Sequence, residues 1–345
     1  MKRRPPLFVA LSVAVGALFG AVRPTAESAA QQIPLEPSAS AAPGLSRASS
    51  SPEPGLPSRP GRSSEGKAEV LVAAAGDVAC DPSDPSFEGG KGRGRYCRQL
   101  ATAKAISRAG AEAVFVLGDT QYDDATLGKF RRSYDKSWGR LKGITYPAVG
   151  NHEYYTNVAA GYFDYFGRRA GKRGLGYYST DLASWHVVSL NSNCDILSCE
   201  RGSRQYRWLR HDLRSSEASC DVAIMHHPRF SSGPHGDTRG VLPLWRLLYR
   251  AGVDVALAGH DHIYERFAPL RPDGSVDRSA GIRSFVVGTG GAETYWFNKR
   301  AGHSQARSAD TIGVLFLSLR DGAFDWSFDR VAGKRFSDAG SDRCH

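Results

Sequence analysis

Five short apolar segments of this chain end in turns that carry aspartate, asparagine or histidine, and this pattern constrains the fold most. The segments lie at 70–75, 113–117, 147–149, 221–225 and 253–258, and such runs are typical of buried strands. Helix-like stretches at 99–108, 206–213 and 242–250 lie between several of them. Alternating strands and helices predict an α/β fold. Ligands of such folds collect beyond the carboxyl ends of the strands, so the five turns predict one common site.

Three later apolar segments lack helices between them. They lie at 284–287, 314–317 and 324–328. Strand-like runs that follow one another without helices are typical of hairpins. We therefore expect these segments to form hairpins in a second sheet.

The polar turns offer oxygen and imidazole donors, a set that suits hard to borderline metals such as Fe, Mn and Zn. On an extended backbone His260 and His262 would point to one side and Asp261 to the other. Two imidazoles would then approach neighbouring metals, with the Asp119 carboxylate as a bridge. Tyr122 would reach the same site if the strand turned into a helix. Its phenolate favours a trivalent metal, and Fe(III) is the expected one.

These turns also resemble the motifs of a known family. They read Gly76-Asp77, Gly118-Asp119-Thr120-Gln121-Tyr122, Gly150-Asn151-His152-Glu153, Met225-His226-His227-Pro228 and Gly259-His260-Asp261-His262-Ile263-Tyr264-Glu265-Arg266. In this order they resemble the five motifs of calcineurin-like metallophosphoesterases and are most similar to the purple acid phosphatase branch, in a compact, secreted form. The resemblance extends from about Val70 to Gly291. It implies a four-layer α-β-β-α metallophosphoesterase sandwich with a binuclear metal centre.

Position by position, the resemblance implies two sets of metal ligands that share Asp119. One metal ion would be held by Asp77, Asp119, Tyr122 and His262, and the other by Asp119, Asn151, His226 and His260. The expected pair is Fe(III) with a divalent ion, which would be Fe, Zn or Mn. Many members of the family carry a histidine where this chain has Ala79, and its replacement by Tyr122 fits the purple branch.

The resemblance also implies the residues that meet the substrate. His152 and His235 are the implied catalytic histidines, and together with Asn151 they would contact the phosphate or the leaving group. His227, next to the ligand His226, is a further candidate substrate contact. Arg168 and its basic neighbours Arg169, Lys172 and Arg173 would either meet an anionic substrate or, as charge runs usually do, face water.

The implied reaction is hydrolysis of phosphate monoesters of small molecules by a metal-activated hydroxide. The same motifs also fit a phosphodiesterase. An alternative of another class is a secreted protein that binds metal or phosphate without catalysis. It is disfavoured because every expected ligand position is filled.

The N-terminus predicts export. Lys2, Arg3 and Arg4 precede an apolar run from Leu7 to Val22, which is shorter than the roughly 20 residues that span a bilayer as a helix. This pattern predicts a signal peptide at 1–30, with an uncleaved anchor as the alternative. The Pro/Ser/Gly-rich residues 31–66 predict a disordered linker, which leaves 67–345 as the catalytic domain. We expect a secreted or cell-surface-associated protein with no stable membrane span after signal removal.

The cysteines agree with export. An even number, six, follows the predicted signal peptide, and in an exported chain such cysteines predict disulfides. Sequence proximity favours the pairs Cys80–Cys97 and Cys194–Cys199, which leaves Cys220–Cys344.

The net charge of the chain is +10, from 45 Lys and Arg against 35 Asp and Glu. This charge is spread thinly, and no zinc finger or basic helix accompanies it. The sequence therefore argues against a dedicated nucleic-acid-binding module and leaves the oligomeric state open.

Overall fold

The structure, a computed structural model, describes residues 69–345. The predicted signal peptide, the predicted linker and residues 67–68 lie outside this range. The strands are β1 Val70–Ala75, β2 Ala113–Leu117, β3 Thr145–Ala148, β4 Tyr178–Leu182, β5 Trp185–Ser189, β6 Cys220–Ile224, β7 Val255–Ala258, β8 Tyr264–Phe267, β9 Arg283–Val287, β10 Ser304–Ser308, β11 Thr311–Arg320, β12 Ala323–Gly333 and β13 Ala339–Arg343. The α-helices are α1 Gln99–Ala109, α2 Leu127–Arg132, α3 Ala160–Phe166, α4 Arg204–Ser215 and α5 Leu242–Ala251. Short 3-10 helices occupy Glu88–Gly90, Tyr134–Lys136, Trp138–Ile144, His152–Tyr155, Asn157–Ala159, Gly167–Ala170 and Arg239–Val241.

The strands form two sheets. The six-stranded sheet has the order β13-β12-β11-β1-β2-β3, and the seven-stranded sheet has the order β10-β8-β9-β7-β6-β5-β4. Strands β1, β2 and β3 run parallel to one another, as do β5, β6, β7 and β9. The carboxyl ends of each parallel set therefore lie along one edge of its sheet.

Alternation along β6 shows how the layers pack. Val222 and Ile224 join an apolar core that contains residues of both sheets. Ala223 instead packs with Leu244 and Leu248 of α5 on the opposite face. Because successive strand residues face opposite sides, the seven-stranded sheet contacts the other sheet on one face and α4 and α5 on the other. Helix α1 packs against β11 and β12 of the six-stranded sheet. The predicted α-β-β-α sandwich is confirmed.

The expected grouping of the late strands was wrong. The 314–317 and 324–328 segments do form a hairpin, β11–β12, but β11 pairs with β1 in the first sheet. The 284–287 segment is β9, which runs parallel to β7 in the other sheet. An apolar run indicates that a strand is buried on both faces but not which strand it pairs with. The sequence pattern therefore could not assign the three segments to their sheets.

All three predicted disulfides are present. Cys80–Cys97 joins the loop after β1 to the residues before α1, and Cys194–Cys199 closes the loop after β5. Cys220–Cys344 ties the start of β6 to the end of the chain. Among residues 69–345, no helix combines the length and the apolar character needed to span a membrane.

His186 on β5 lies between two carboxylates. Its Nδ1 is 2.7 Å from Asp181 Oδ1, and its Nε2 is 2.9 Å from Asp212 Oδ2. Burial lowers the pKa of the His186 imidazole, but Asp212 and Asp181 outweigh that effect and raise the pKa to about 9. The charged imidazole therefore links β4, β5 and α4.

Candidate metal centre

The two sheets bring different donor types to one seam. The six-stranded sheet supplies oxygen donors beyond β1, β2 and β3, and the seven-stranded sheet supplies imidazoles beyond β6 and β7. The donors are Asp77, Asp119, Tyr122 and Asn151 from the first sheet, and His226, His260 and His262 from the second. The structure thus brings all seven predicted ligand positions together.

Asp77 lies fully buried directly after β1. Its Oδ1 accepts a hydrogen bond from the Tyr122 hydroxyl at 2.9 Å and lies 3.2 Å from His262 Nε2. Its Oδ2 accepts the backbone N–H of His260 at 3.0 Å. A Cβ at Gly259 would lie 2.5 Å from the same Oδ2, so only glycine permits this approach. The Asp77 carboxylate therefore connects the first two motifs to the last.

Asp119 lies between the two donor sets. Its Oδ1 accepts the backbone N–H of His152 at 2.9 Å. Its Oδ2 is 3.2 Å from the Tyr122 hydroxyl and 3.3 Å from His226 Nε2. One carboxylate oxygen thus faces both sets, which is the arrangement that a bridging ligand requires.

The first donor set centres on the Tyr122 hydroxyl. It is 2.9 Å from His262 Nε2 and contacts the Asp77 and Asp119 carboxylates as described. The other ring nitrogen of His262, Nδ1, donates to the carbonyl of Glu293 at 2.9 Å. A backbone acceptor on Nδ1 fixes the ring so that Nε2 faces the site, as is usual for metal-binding histidines.

The second donor set centres on His226. Its Nε2 is 3.0 Å from Asn151 Oδ1 and 3.2 Å from His260 Nδ1. Its Nδ1 donates to the Leu117 carbonyl at 2.8 Å, which again orients Nε2 into the site. With Asp119 Oδ2, these atoms form a compact group of oxygen and nitrogen donors.

The charges in this buried region compensate one another. Burial alone would raise the pKa of the Asp119 carboxyl, but His226 and His152 beside it lower that pKa far below its usual range. Burial lowers the pKa of His226, and Asp119 reverses this effect and raises it to about 9. Burial, together with Asp119 and Asp77, raises the pKa of the Tyr122 phenol well above its usual value. Buried carboxylates of this kind attract either protons or cations.

The donors fit a pair of metal ions. Bonds of about 2.1 Å at right angles place neighbouring donor atoms about 3.0 Å apart, and the contacts within both sets have that spacing. Carboxylate, phenol, amide and imidazole donors suit Fe, Mn or Zn. The geometry therefore supports two ligand sets that meet at Asp119.

Two backbone expectations were wrong, although the side chains meet. Tyr122 does not follow a helical turn, because Gln121 forms an extended bridge with Ala79 and the Tyr122 N–H donates to the Ala79 carbonyl. His260 has a φ of +71°, so the chain bends there and is not extended. Asp77 and Asp119 also have positive φ values. Such strained backbone is concentrated at functional sites, where surrounding contacts hold it.

The three other predicted histidines flank the second set and Tyr122. The His152 ring lies 4.4 Å from the Tyr122 ring, between centroids. His227 and His235 both contact the His260 ring, with centroid distances of 4.4 and 4.3 Å. Burial and the neighbouring His226 lower the pKa of His227 to about 3, so this imidazole is neutral and its Nδ1 pairs with a serine hydroxyl. These side chains surround the space where a ligand would approach.

Sequence reasoning named Glu153 within its motif but missed its role. Its buried carboxylate accepts three backbone N–H groups, from Asp119 at 3.1 Å, Thr120 at 2.7 Å and Gly150 at 2.7 Å. These bonds join the loops after β2 and β3. Its position directly after Asn151 and His152 is the only sequence signal that pointed to this role.

Two further acidic residues hold the loop that carries His235. Asp261 accepts the Ser231 hydroxyl and the His235 N–H, and Glu265 accepts the N–H and hydroxyl of Ser232. Their position within the last motif was visible in the sequence, but their partners were not. Tyr295, which stacks on His262 with ring centroids 3.9 Å apart, had no sequence signal.

Two of the four basic side chains after α3 bond to the protein, and all four remain exposed to solvent. Arg169 donates to the carbonyls of Thr145 and Gly143, and Arg173 pairs with Asp164. Arg168 and Lys172 are exposed. This arrangement agrees with the interpretation as a solvated basic loop.

The comparisons with known proteins agree with this geometry. Residues 71–264 match the model of the family described as calcineurin-like phosphoesterase. Over 100 residues the chain is 42% identical to purple acid phosphatase 21 of Arabidopsis thaliana, a match covering 27% of this chain and 22% of that protein. Over 188 residues it is 29% identical to acid phosphatase type 7 of Homo sapiens, covering 46% of this chain and 41% of that protein. The matches thus span less than half the length of these relatives.

A solved structure shows the same fold. The purple acid phosphatase PPD1 from seeds of yellow lupin (Lupinus luteus) superposes with a TM-score of 0.62 at 20% identity. The match covers 80% of this chain and 54% of the lupin chain. The two proteins therefore share their fold over most of the described residues.

Proposed function

Because this chain belongs to the calcineurin-like phosphoesterase family, a family of metal-dependent phosphoesterases, we propose that it hydrolyses phosphate monoesters of small molecules at a binuclear metal centre. The observation that carries this proposal is the convergence of seven donor side chains from five motifs on two adjacent sets that share Asp119. Three further histidines, His152, His227 and His235, pack against the proposed ligands. Metal ligands beside uncoordinated imidazoles can both bind and protonate a phosphate ester.

Asp77, Asp119, Tyr122 and His262 would hold one ion, and Asp119, Asn151, His226 and His260 the other. The tyrosine ligand favours Fe(III) in the first set and leaves a divalent ion for the second. When bound, such a pair polarises the phosphoryl oxygens and lowers the pKa of a water molecule.

The chain's own residues would then position the ester. Asn151 is oriented by His226 and would present its amide to a phosphate oxygen. His152 is half-buried, with its backbone N–H on Asp119 and its ring on Tyr122, so it can hold a proton near the leaving oxygen. His235 packs against His260 and would bind the phosphate as a hydrogen-bond donor. His227 would add a neutral imidazole beside the second set.

We also propose that the protein is exported. Its three disulfides support an oxidising compartment, where such bonds persist. Mass spectrometry of the secreted protein's N-terminus tests this proposal. Recovery of an intact, intracellular chain with reduced cysteines would contradict it.

The activity is tested by comparing kcat/KM for nitrophenyl phosphate and bis-nitrophenyl phosphate with the full-length, metal-replete protein. We expect a clear preference for the monoester. The His260→Gln variant should lose activity by at least about a hundredfold because it removes a metal ligand. His211→Gln, an exposed histidine on α4, is the matched control and should retain wild-type turnover.

The outcomes separate the alternatives. A diester preference would keep the metal centre and reassign the protein as a phosphodiesterase. Full activity in His260→Gln would contradict the proposed ligand set. Bound metal without turnover of either ester would favour a binding protein over an enzyme.

A further inference from the structure

Large apolar side chains exposed to solvent are concentrated around the candidate metal centre. Among residues 69–345, five such side chains are exposed, and all five lie in segments that follow the carboxyl ends of parallel strands. Tyr96 follows β1, Tyr155 and Val158 follow β3, Ile196 follows β5 and Trp296 follows β9. Single exposed apolar residues are ordinary, and only those that contact the proposed site point to a role in binding a ligand.

The loops that carry these residues are fixed to one another. Asn191, after β5, donates to the hydroxyl of Tyr154 at 2.7 Å. Asn193 donates to the Val149 carbonyl at 3.3 Å. The loop with Ile196 therefore lies beside the turn with Tyr155. The Tyr295 N–H donates to the His262 carbonyl at 2.9 Å, which places Trp296 beside the last motif.

A row of aromatic rings crosses the first donor set and ends in an exposed ring on each side. Successive ring centroids are 4.7, 4.4, 5.7, 3.9 and 6.1 Å apart along the row Tyr155–His152–Tyr122–His262–Tyr295–Trp296. Within the row, Tyr122 and His262 are proposed ligands, and His152 and Tyr295 pack against them. The terminal side chains, Tyr155 and Trp296, are 64% and 63% exposed and are available to another ring.

The position of Tyr155 specifies which part of a substrate it would meet. Its ring packs against His152, which we placed near the leaving oxygen of the ester. The phosphoryl group would lie over the metal ligands, on the other side of His152 from Tyr155. A group attached to the leaving oxygen would therefore extend toward the Tyr155 ring.

We infer that Tyr155 is a specificity-determining residue whose ring stacks on a planar ring carried by the leaving alcohol of the substrate. This inference rests on the proposed phosphomonoesterase function and extends it to a substrate class, monoesters of ring-bearing alcohols. Offset or edge-to-face stacking of aromatic rings supplies the attraction. Because the contact lies on the leaving group, it would distinguish substrates that share the same phosphoryl chemistry.

The test uses two 5-phosphate esters of ribose, only one of which carries a planar ring. Adenosine 5′-monophosphate and ribose 5-phosphate share the phosphate, the ester bond and the sugar, and only the first carries a base. We expect the ratio of their kcat/KM values to exceed about five in the wild type, as one stacking contact provides. Tyr155→Ala should lower this ratio by about fivefold or more, whereas Tyr155→Phe should keep it within about twofold because the ring remains.

Tyr96→Ala is the matched control, since it removes an exposed tyrosine from another loop and should leave both activities unchanged. A wild-type ratio near one, or an unchanged ratio in Tyr155→Ala, would overturn the inference. So would a ratio that falls in Trp296→Ala but not in Tyr155→Ala, because the ring would then stack at the other end. If the metal-replete protein turns over neither these esters nor nitrophenyl phosphate, the proposed function itself has failed.

Discussion

Replacing Glu153 with glutamine tests whether its carboxylate holds together the two loops that carry proposed metal ligands. Two oxygens accept three buried N–H groups in the wild type, at 2.7–3.1 Å. The glutamine amide has one acceptor oxygen and fits the same space, so at least one buried N–H group faces an NH2 donor. An unsatisfied buried group costs about 1–3 kcal/mol, and the remaining bonds lose the reinforcement of a charged acceptor. Glutamine also removes the cost of keeping a buried carboxylate ionised beside Asp119, so we expect the free energy of unfolding to fall by only about 1 kcal/mol.

Urea unfolding of the metal-stripped protein at pH 8 measures this loss directly. Burial and the neighbouring Asp119 raise the pKa of the Glu153 carboxyl to about 7, so at pH 8 the wild-type group is ionised at a cost to stability that glutamine does not carry. A separate metal titration of the folded protein should show an affinity about 10–100 times weaker, because these N–H groups orient ligand-bearing loops. Glu217→Gln, an exposed residue after α4, is the control and should leave both quantities unchanged.

The two measurements distinguish a Glu153 carboxylate that orients the proposed ligands from one that only stabilises the fold. A variant whose stability falls while its metal affinity stays within twofold would refute the role in orienting the ligands. A variant within about 0.5 kcal/mol of the wild type would refute the reasoning altogether, since surface changes have effects of that size.

Three further predictions address the fold and the metals. His186→Gln should be less stable than the wild type, and the difference in free energy of unfolding should be largest below about pH 6.5, where the charged His186 contributes its full stabilisation. This difference, at most about 3 kcal/mol, should vanish as the pH rises through the folded-state pKa of about 9, in urea unfolding at pH 6 and pH 10. Replacing the two cysteines of Cys220–Cys344 with alanine should lower the free energy of unfolding by about 5 kcal/mol, because this disulfide joins residues 124 positions apart. The same change at Cys194–Cys199, whose cysteines are 5 positions apart, should lower it by about 2 kcal/mol. Equal shifts of the urea midpoint in the two variants would contradict the loop-entropy argument. Tyr122→Phe should reduce bound Fe(III), measured by metal analysis, while the divalent ion is retained; unchanged iron content would exclude a phenolate ligand.

The sequence predicted that the proposed ligand side chains would meet because each of them follows the end of a buried strand. Asp77, Asp119 and Asn151 each follow an apolar run, and the run itself identifies the end from which the side chain projects. The disulfides were predictable because nearby cysteines left only one remaining pair. These signals lie in short stretches of sequence and can be read without knowledge of the tertiary contacts.

The remaining features depend on contacts between distant segments. The pairing of β1 with β11 joins residues such as Val72 and Leu317, and no periodicity encodes that choice. Tyr295 reaches His262 through a loop without a regular pattern. The bends at Asp77, Asp119 and His260 were also missed, because a non-glycine residue with positive φ is stabilised by its surroundings and not by its own preference.

Because the donor sets lie between the two sheets, metal binding would affect how firmly the sheets are held together. Each donor set takes its oxygen ligands from one sheet and its imidazoles from the other. Bound ions would therefore link the two sheets. Their binding free energy would resist the sliding or separation of the two layers, because a ligand that binds only the docked form stabilises that form. Chelation should therefore increase hydrogen exchange first in the loops along this edge, while the hydrogen bonds inside each sheet keep their protection.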